Sequence, residues 1–559
     1  MCQIRYVNIF IRGRDYLVIW VIPLLLTIFR PNVFFDNVFN LHDYMYIGSS
    51  ALLLFIKLSC RESRIPFTCI SSCVIMLLVC LCVRNYDTIC VSSMRWLGDI
   101  LLLLFLSPSK IDVRKISSAI SVICLVEIIV CVYQLLIFNN STFIITGTFD
   151  NPTGLSVLFA VSLPFLCYRI ENRPWIYLVI FTFAVLLVIA KERKGLLCLF
   201  VLCPLIFQRQ RSKKLTPFLC LAVPILFTIF FFLEPESTLG RIFILKGTFS
   251  IMGHNLLFGD GIYTFGKSYM LWQSSHFANN SSSEYAYLAD NVVHPLNELF
   301  NYAVSQGLLL CIPLAIAIFS ILVSARHKAT IWHMCLLSIA LASLFCYCFS
   351  YSFVPYFVIL SISQIKSRQL LVTKGITAKL ILTCLCLITL LWIGRGFMFE
   401  YKWKNAYNEY LQHKAGKFSG QYESLSKIWD GNPYFFYNYA SVMRNELELQ
   451  KSNMLLDKYR EFYVDYNGTL LYAKNLYDMG QYKEAEKYYN TAHYMCPNRF
   501  EPLQGVLRIA MKQNNHVKAV KVANEIANKP VKIESYKTKA IIYEANEKIR
   551  EIQRGKHQK

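Results

Sequence analysis

The distribution of apolar runs limits this chain's possible folds more than any motif does. From residue 15 to about residue 397 apolar blocks follow one another at short intervals, and beyond that the sequence turns polar and rich in Tyr and Lys. A hydrocarbon core ~30 Å thick needs about 20 apolar residues per helix, fewer where flanking side chains reach the interface. On that measure the sequence predicts spans at 15–30, 44–59, 66–83, 96–107, 116–138, 152–168, 175–190, 195–207, 216–233, 302–324, 331–348, 353–365 and 376–397. The expected fold is all-α: a polytopic helical membrane domain of about 12–13 spans over 1–397, then a soluble helical domain over 398–559. Composition agrees, because only 16% of residues are charged and 55% are hydrophobic, whereas soluble chains carry about a quarter charged. The first run has no small-residue cleavage site and leads straight into further runs, so it reads as a span and not as a removed leader.

The net charge of +22 is concentrated in alternate loops, for example Arg5, Arg12 and Arg14, then Lys57, Arg61 and Arg64, then Arg209, Arg211, Lys213 and Lys214. Cations accumulate in cytoplasmic loops. The N-terminus is therefore expected in the cytoplasm, and an odd number of spans puts the C-terminal domain in the periplasm. The same bias explains the positive charge without any nucleic acid partner. Many of the 20 cysteines lie inside apolar runs (Cys124, Cys131, Cys198, Cys346), where a thiol behaves as a small hydrophobe. No paired CxxC spacing occurs, so neither a metal site nor a disulfide framework is expected, and no cofactor motif is present.

The tail reads as helical pairs. Over 466–497, Ala473, Tyr482, Ala485, Tyr489, Ala492 and Pro497 stand at tetratricopeptide offsets, where small residues let two helices approach closely. Ala519, Ala523 and Pro530 continue the pattern about one period later, and the match is degenerate upstream from Asn432-Pro433. Such repeats offer a concave surface for a protein or glycan partner.

Polar residues at the outward ends of spans are few, and an ionisable group at membrane level is a candidate site by default. The first such segment is Gly147-Thr-Phe-Asp150-Asn151-Pro-Thr-Gly154. A second is the short connection Lys191-Glu192-Arg193-Lys194, whose three cations run against the charge bias. The long outer loop, about 234–301, holds Arg241 and the glycine-aromatic run Asn255-Leu-Leu-Phe-Gly259-Asp-Gly261-Ile-Tyr-Thr-Phe-Gly266. It closes on His294-Pro-Leu-Asn297-Glu298, and the next span is interrupted at Ser305-Gln306-Gly307. Two guanidinium groups suit a diphosphate, and an imidazole can take a proton from an attacking hydroxyl near neutral pH. Each residue also has a plainer role. Arg193 fits a snorkelling interfacial residue, Arg241 a partner of Glu234 or Glu236, His294 a helix-start residue before Pro295, and Asp150 and Asn151 a cap for the sixth span.

In this order, these segments resemble the O-antigen ligase and polymerase superfamily of bacterial envelope glycosyltransferases, over roughly residues 140–320. The resemblance implies an inner-membrane enzyme that transfers a glycan from undecaprenyl pyrophosphate to an acceptor hydroxyl at the periplasmic face, with inversion by direct displacement. By position, Arg193 and Arg241, with Lys194 beside them, would hold the pyrophosphate. Asp150 and Asn151 would line the substrate, His294 would stand at the acceptor, and Asn297 would orient the local loop. Where the family pattern has a histidine immediately before the asparagine, this chain has Leu296, so Glu298 competes with His294 as the base. The acceptor implied is a further glycan, lipid A core or a protein hydroxyl. The rival readings are a transporter or flippase, for which Glu127 inside the fifth span is the one charge of note, and a membrane scaffold displaying repeats.

Overall fold

The computed structural model describes residues 16–36, 39–59, 65–66, 94–106, 110–137, 143–169, 175–192, 195–198, 235–253, 255–261, 263–280, 283–309, 311–312, 315–316, 319, 323, 330–365, 372–373, 376–412, 417–428 and 432–557. In chain order the main elements are α1 (Leu17–Thr27, opening with a π turn), α2 (Asn40–Ser59), β1 (Ile65–Pro66), α3 (Arg95–Leu106), α4 (Val113–Ile137), α5 (Pro152–Arg169) and α6 (Trp175–Ile189). Then come α7 (Pro235–Met252), α8 (Thr264–Asn279), α9 (Glu298–Gln306), α10 (Ile331–Ser343), α11 (Phe353–Ile365), β2 (Val372–Thr373) and α12 (Ile376–Gln412). The rest is α13 (Ser419–Ile428), α14 (Pro433–Asn445), α15 (Leu449–Arg460), α16 (Tyr466–Asp478), α17 (Tyr482–Met495), α18 (Glu501–Lys512), α19 (His516–Asn528) and α20 (Tyr536–His557). The architecture is helical, as expected. The one sheet contact among the described residues is the two-residue antiparallel pair β1–β2.

The chain divides into two compact units. The first falls within Met1–Leu233, Leu296–Leu299 and Cys311–Glu409, the second within Glu234–Pro295, Phe300–Leu310 and Tyr410–Lys559. The expected boundary at 397 lies inside α12, which continues unbroken to Gln412. The long loop at 234–301 groups mostly with the tail repeats and not with the apolar helices around it in sequence.

In the first unit α5 is central, packed against α4, α6 and α10. Its start is dictated locally: Asn151 caps the first turn, its Oδ1 accepting the Thr153 N–H at 2.8 Å, and Pro152 takes the first helical position, where a missing N–H has no cost. Pro164 sits inside the helix and leaves the Ala160 carbonyl without its usual donor; the Ser338 hydroxyl of α10 supplies one. The core is aliphatic and aromatic, with Leu54, Leu101, Phe159, Phe165 and Val354 fully buried and Phe159 stacked on Phe183 at 4.8 Å. Two described helices, Val113–Ile137 and Lys379–Gln412, are long and apolar enough to cross a membrane, and five shorter apolar helices accompany them. The span expected at 216–233 lies outside the described residues, as do all of 66–83 but Pro66, most of 195–207 and much of 302–324.

The second unit is built on three successive helix pairs, α14–α15, α16–α17 and α18–α19, closed by α20. Within each pair the turn carries a left-handed residue, Leu447, Gly480 and Asn514, spaced by about the 34 residues of a tetratricopeptide period. Ala473, Ala485, Ala492, Ala519 and Ala523 are all fully buried between helices, the role their spacing predicts. The pair upstream of residue 466 is as well formed as the others, although its sequence match is degenerate; Phe435, Phe436 and Tyr439 fill its core. Buried Asn475 ties three helices together, donating to Ser452 Oγ and Asn453 Oδ1 at 2.8 Å each and accepting from Arg444 at 2.6 Å.

Candidate functional site

Within the first unit, segments far apart in sequence meet around the connection between α10 and α11, residues 344–352. The Gly147–Gly154 segment is held from below by α4. Glu127 accepts the Thr148 N–H at 3.0 Å and lies 2.6 Å from its hydroxyl, and Gln134 accepts the N–H groups of Thr146 (3.0 Å) and Gly147 (2.9 Å). Gly147 has φ 64°, and any Cβ there would stand 2.4 Å from Glu127 Oε2, so only glycine closes this turn. Glu127, the transport candidate from sequence, is thus engaged in fixing this segment.

Asp150 and Asn151 are thereby set at the head of α5. Asn151 both caps the helix and faces the connection: its amide donates to Asp150 Oδ2 (2.8 Å) and the Tyr347 hydroxyl (3.1 Å), and its carbonyl accepts from the Tyr351 hydroxyl (3.3 Å). The capping role and the site role coincide. From the other motif, the Asn297 amide donates to the Leu344 carbonyl at 2.9 Å, and buried Glu298 accepts the Phe349 N–H at 2.8 Å. The Phe349 carbonyl takes a hydrogen bond from Arg95, whose Nε lies 3.5 Å from Asp43, and Asp43 accepts from Ser352 at 2.6 Å. The same short connection is therefore gripped by Asn151, Asn297, Glu298 and the Arg95–Asp43 pair. This gives Glu298 a positioning task, its Oε1 already occupied by a main-chain donor.

Two groups of the site were not singled out from sequence. One is the tyrosine pair Tyr347 and Tyr351, stacked at 6.3 Å. The other is Arg30, just past α1. Its guanidinium lies 4.3 Å from the Phe149 ring centroid and its Nε donates to the Thr27 carbonyl, while both terminal nitrogens are shielded from solvent and have no hydrogen-bond partner among the described residues. Glu127, Asp150 and Asp36 act on it electrostatically. Each is committed elsewhere: Glu127 to Thr148, Asp150 to Asn151, and Asp36 to the Phe39 N–H at 2.7 Å. A cation at the end of the first apolar run was the available signal.

Arg193 and Lys194 lie outside the described residues. The residues flanking them are pinned to α5: the Thr153 hydroxyl donates to Glu192 at 3.2 Å and the Gly195 N–H to Ser156 at 2.7 Å. Arg241 and His294 belong to the second unit. Arg241 is half-buried on α7 and forms no ion pair among the described residues, Glu236 included. Glu234 is outside them. His294 is half-buried in an irregular stretch, and Pro295 after it precedes α9 without opening it. The glycine-aromatic run and the Ser305–Gly307 interruption lock together. Gly261 N–H bonds the Ser305 carbonyl (3.0 Å), Leu308 and Leu309 bond the carbonyls of Leu256 and Leu257, and at Gly307 (φ 74°) a Cβ would meet the Leu257 carbonyl at 2.2 Å.

Among the described residues no group of three His, Cys, Asp or Glu side chains could hold a metal ion. Comparison with protein-family models gave no match, and no curated protein matches the chain.

Proposed function

We propose that this chain is a polytopic membrane glycosyltransferase of the O-antigen ligase and polymerase type, moving a glycan from undecaprenyl pyrophosphate to an acceptor hydroxyl at the periplasmic face. The observation that carries the reading is the meeting of two motif segments about 150 residues apart in sequence, Asp150–Asn151 and Asn297–Glu298, on the 344–352 connection. Carboxylate, amide and tyrosine hydroxyl groups side by side suit a polyol, whose hydroxyls both donate and accept. A lipid surroundings is supported by the outward faces of α4, α6 and α12, which expose Ile129, Leu136, Leu178, Phe181, Ile381 and Leu391.

In the proposed reaction the acceptor oxygen attacks the anomeric carbon and the bond from that carbon to the diphosphate oxygen breaks. The hydroxyl proton passes to the His294 imidazole, and the diphosphate leaves as an anion that needs no protonating acid. Arg193, Lys194 and Arg241 are assigned to the diphosphate, and Arg30 of the first unit is a further guanidinium suited to it. Each phosphate of a diphosphate diester carries one negative charge, which a single guanidinium with free N–H groups can match. Asp150 and Asn151 are assigned to the sugar, Asn297 and Glu298 to holding the connection. The acceptor is a glycan, lipid A core or a protein hydroxyl, the last making the chain a protein O-oligosaccharyltransferase.

The test is genetic. Arg30, Asn151, Arg193, Arg241 and His294 are changed singly to Ala, membrane levels are checked, and the surface glycan is resolved on gels. Loss of long chains with normal protein levels is expected. A single repeat on the core marks failed polymerisation, and bare core failed ligation. Unchanged glycan in all five variants would exclude the transferase reading and leave a transporter or scaffold.

A further inference from the structure

Four consecutive carbonyls in the second unit, those of Tyr287, Leu288, Ala289 and Asp290, each accept a hydrogen bond from a side chain. Asn498 donates to Tyr287 (3.1 Å) and Ala289 (2.5 Å), Lys532 to Leu288 (3.3 Å), and Gln273 of α8 to Asp290 (3.0 Å). Side chains extend the grip in both directions. Asp290 pairs with Arg499 at 2.8 Å, and Asn291 donates to Asp465 (3.3 Å) and accepts the Tyr466 N–H (3.3 Å). Asp465–Tyr466, Asn498–Arg499 and Lys532 lie in three successive turns linking one helix pair, or the capping helix, to the next. One edge of the repeat stack therefore reads the main chain of a non-helical segment, turn by turn.

We infer that the helical repeats are an internal clamp whose ligand is the chain's own segment 287–293, and that the clamp positions His294. Asn291, the last residue gripped through its side chain, is three residues before His294, so the imidazole's backbone is tethered within about 10 Å of the repeats. Main-chain carbonyls are four of the ligand groups, and the Asp290 and Asn291 side chains add the charged and amide contacts that complete the grip. The assignment of His294 to the reacting hydroxyl rests on the transferase reading; the clamp itself does not.

The experiment uses full-length protein in detergent, comparing wild type with Asn498→Ala/Arg499→Ala, with Lys532→Ala and with Arg499→Lys. Hydrogen exchange over 284–295 is followed by mass spectrometry, along with the rate at which diethyl pyrocarbonate labels His294. The double variant is expected to exchange at least tenfold faster over this segment and to label His294 faster, while exchange over 501–512 stays at wild-type level. Lys532→Ala should give a smaller change, and Arg499→Lys should restore most of the protection by keeping the charge opposite Asp290. Unchanged exchange in the double variant overturns the clamp. Faster exchange with unchanged His294 labelling overturns positioning. Transfer kinetics separate this from the function: with active wild type, the double variant should lose kcat with the donor KM retained. An inactive wild type would sink the transferase reading, while exchange and labelling still decide the clamp.

Discussion

Leu296 stands between the two candidate bases with φ 56°, a left-handed conformation that costs a branched side chain about 1–2 kcal/mol. Lys191, the first cation of the 191–194 connection, has φ 57° in the turn that ends α6, where the Glu192 N–H bonds the Leu187 carbonyl. The two remaining non-glycine outliers among the described residues, Leu447 and Asn514, serve ordinary helix-pair turns. Leu296 is therefore the one non-glycine residue among those described that takes this conformation away from a helix-ending turn, and its strain belongs to the candidate site. Leu296→Ala removes the side chain and keeps the strain, whereas Leu296→Gly removes both. The Gly variant should therefore be more stable than the Ala variant by about 1 kcal/mol, and thermal unfolding of the two proteins side by side checks it; equal midpoints would mean the conformation is unstrained. At this scale the sequence showed residues whose type was unusual for their setting, such as Asn151 before a proline and Glu127 in an apolar run. It could not show that Glu127 is used up on Thr148, because that bond joins a helix to a turn 21 residues later. Tyr347 and Tyr351 were invisible for the same reason: among 34 tyrosines, only the meeting with Asn151 sets them apart.

The repeats were the most legible elements, because burying alanines at a fixed period leaves a pattern that survives substitution elsewhere. Where aromatic residues fill the core, as in α14, the same helix pair forms without that signature. Asn475 carries a further consequence. Its amide meets three partners in a buried setting, so Asn475→Ala takes the donor from Asn453 Oδ1 and Ser452 Oγ, leaves Arg444 held by Asp478 alone, and should cost about 1–3 kcal/mol. A thermal midpoint equal to wild type would contradict this. The clamp has a pH signature. Burial works against the Asp290 carboxylate, but its hydrogen bond and charge pairing with Arg499, the Asn291 N–H and Lys532 outweigh burial and hold its pKa below the ordinary value. A depressed carboxylate pKa stabilises the folded state above the unfolded value of about 3.9, and that stabilisation is lost as pH falls through the lower, folded value. Exchange over 284–295, corrected for intrinsic rates, should stay protected from pH 7 to 5 and loosen on acidification below about 4. Asp290→Asn should abolish that dependence, and a wild type insensitive to acid would show that the pair is unimportant.

For the whole molecule, sequence hydropathy predicts a break at 397, where the apolar runs end, but α12 carries the first unit to Glu409 and the long loop groups with the tail. Hydropathy reports the solvent a segment prefers and not which segments pack together, so an apolar-rich loop between apolar runs gave no sign that its scaffold lay about 200 residues downstream. The helical architecture was readable because continuous apolar runs with few breakers have little alternative. The assembly of the site at 344–352 was not, since it depends on helix ends brought together by packing. The most direct measurement is release of undecaprenyl pyrophosphate from a synthetic lipid-linked oligosaccharide by the purified full-length protein in liposomes, with an acceptor glycan present. The account predicts release in step with glycan transfer for wild type, falling at least tenfold in Arg30→Ala and Asn151→Ala while both proteins stay folded. Release unaffected by either substitution, or none from wild type with any acceptor class, would contradict it.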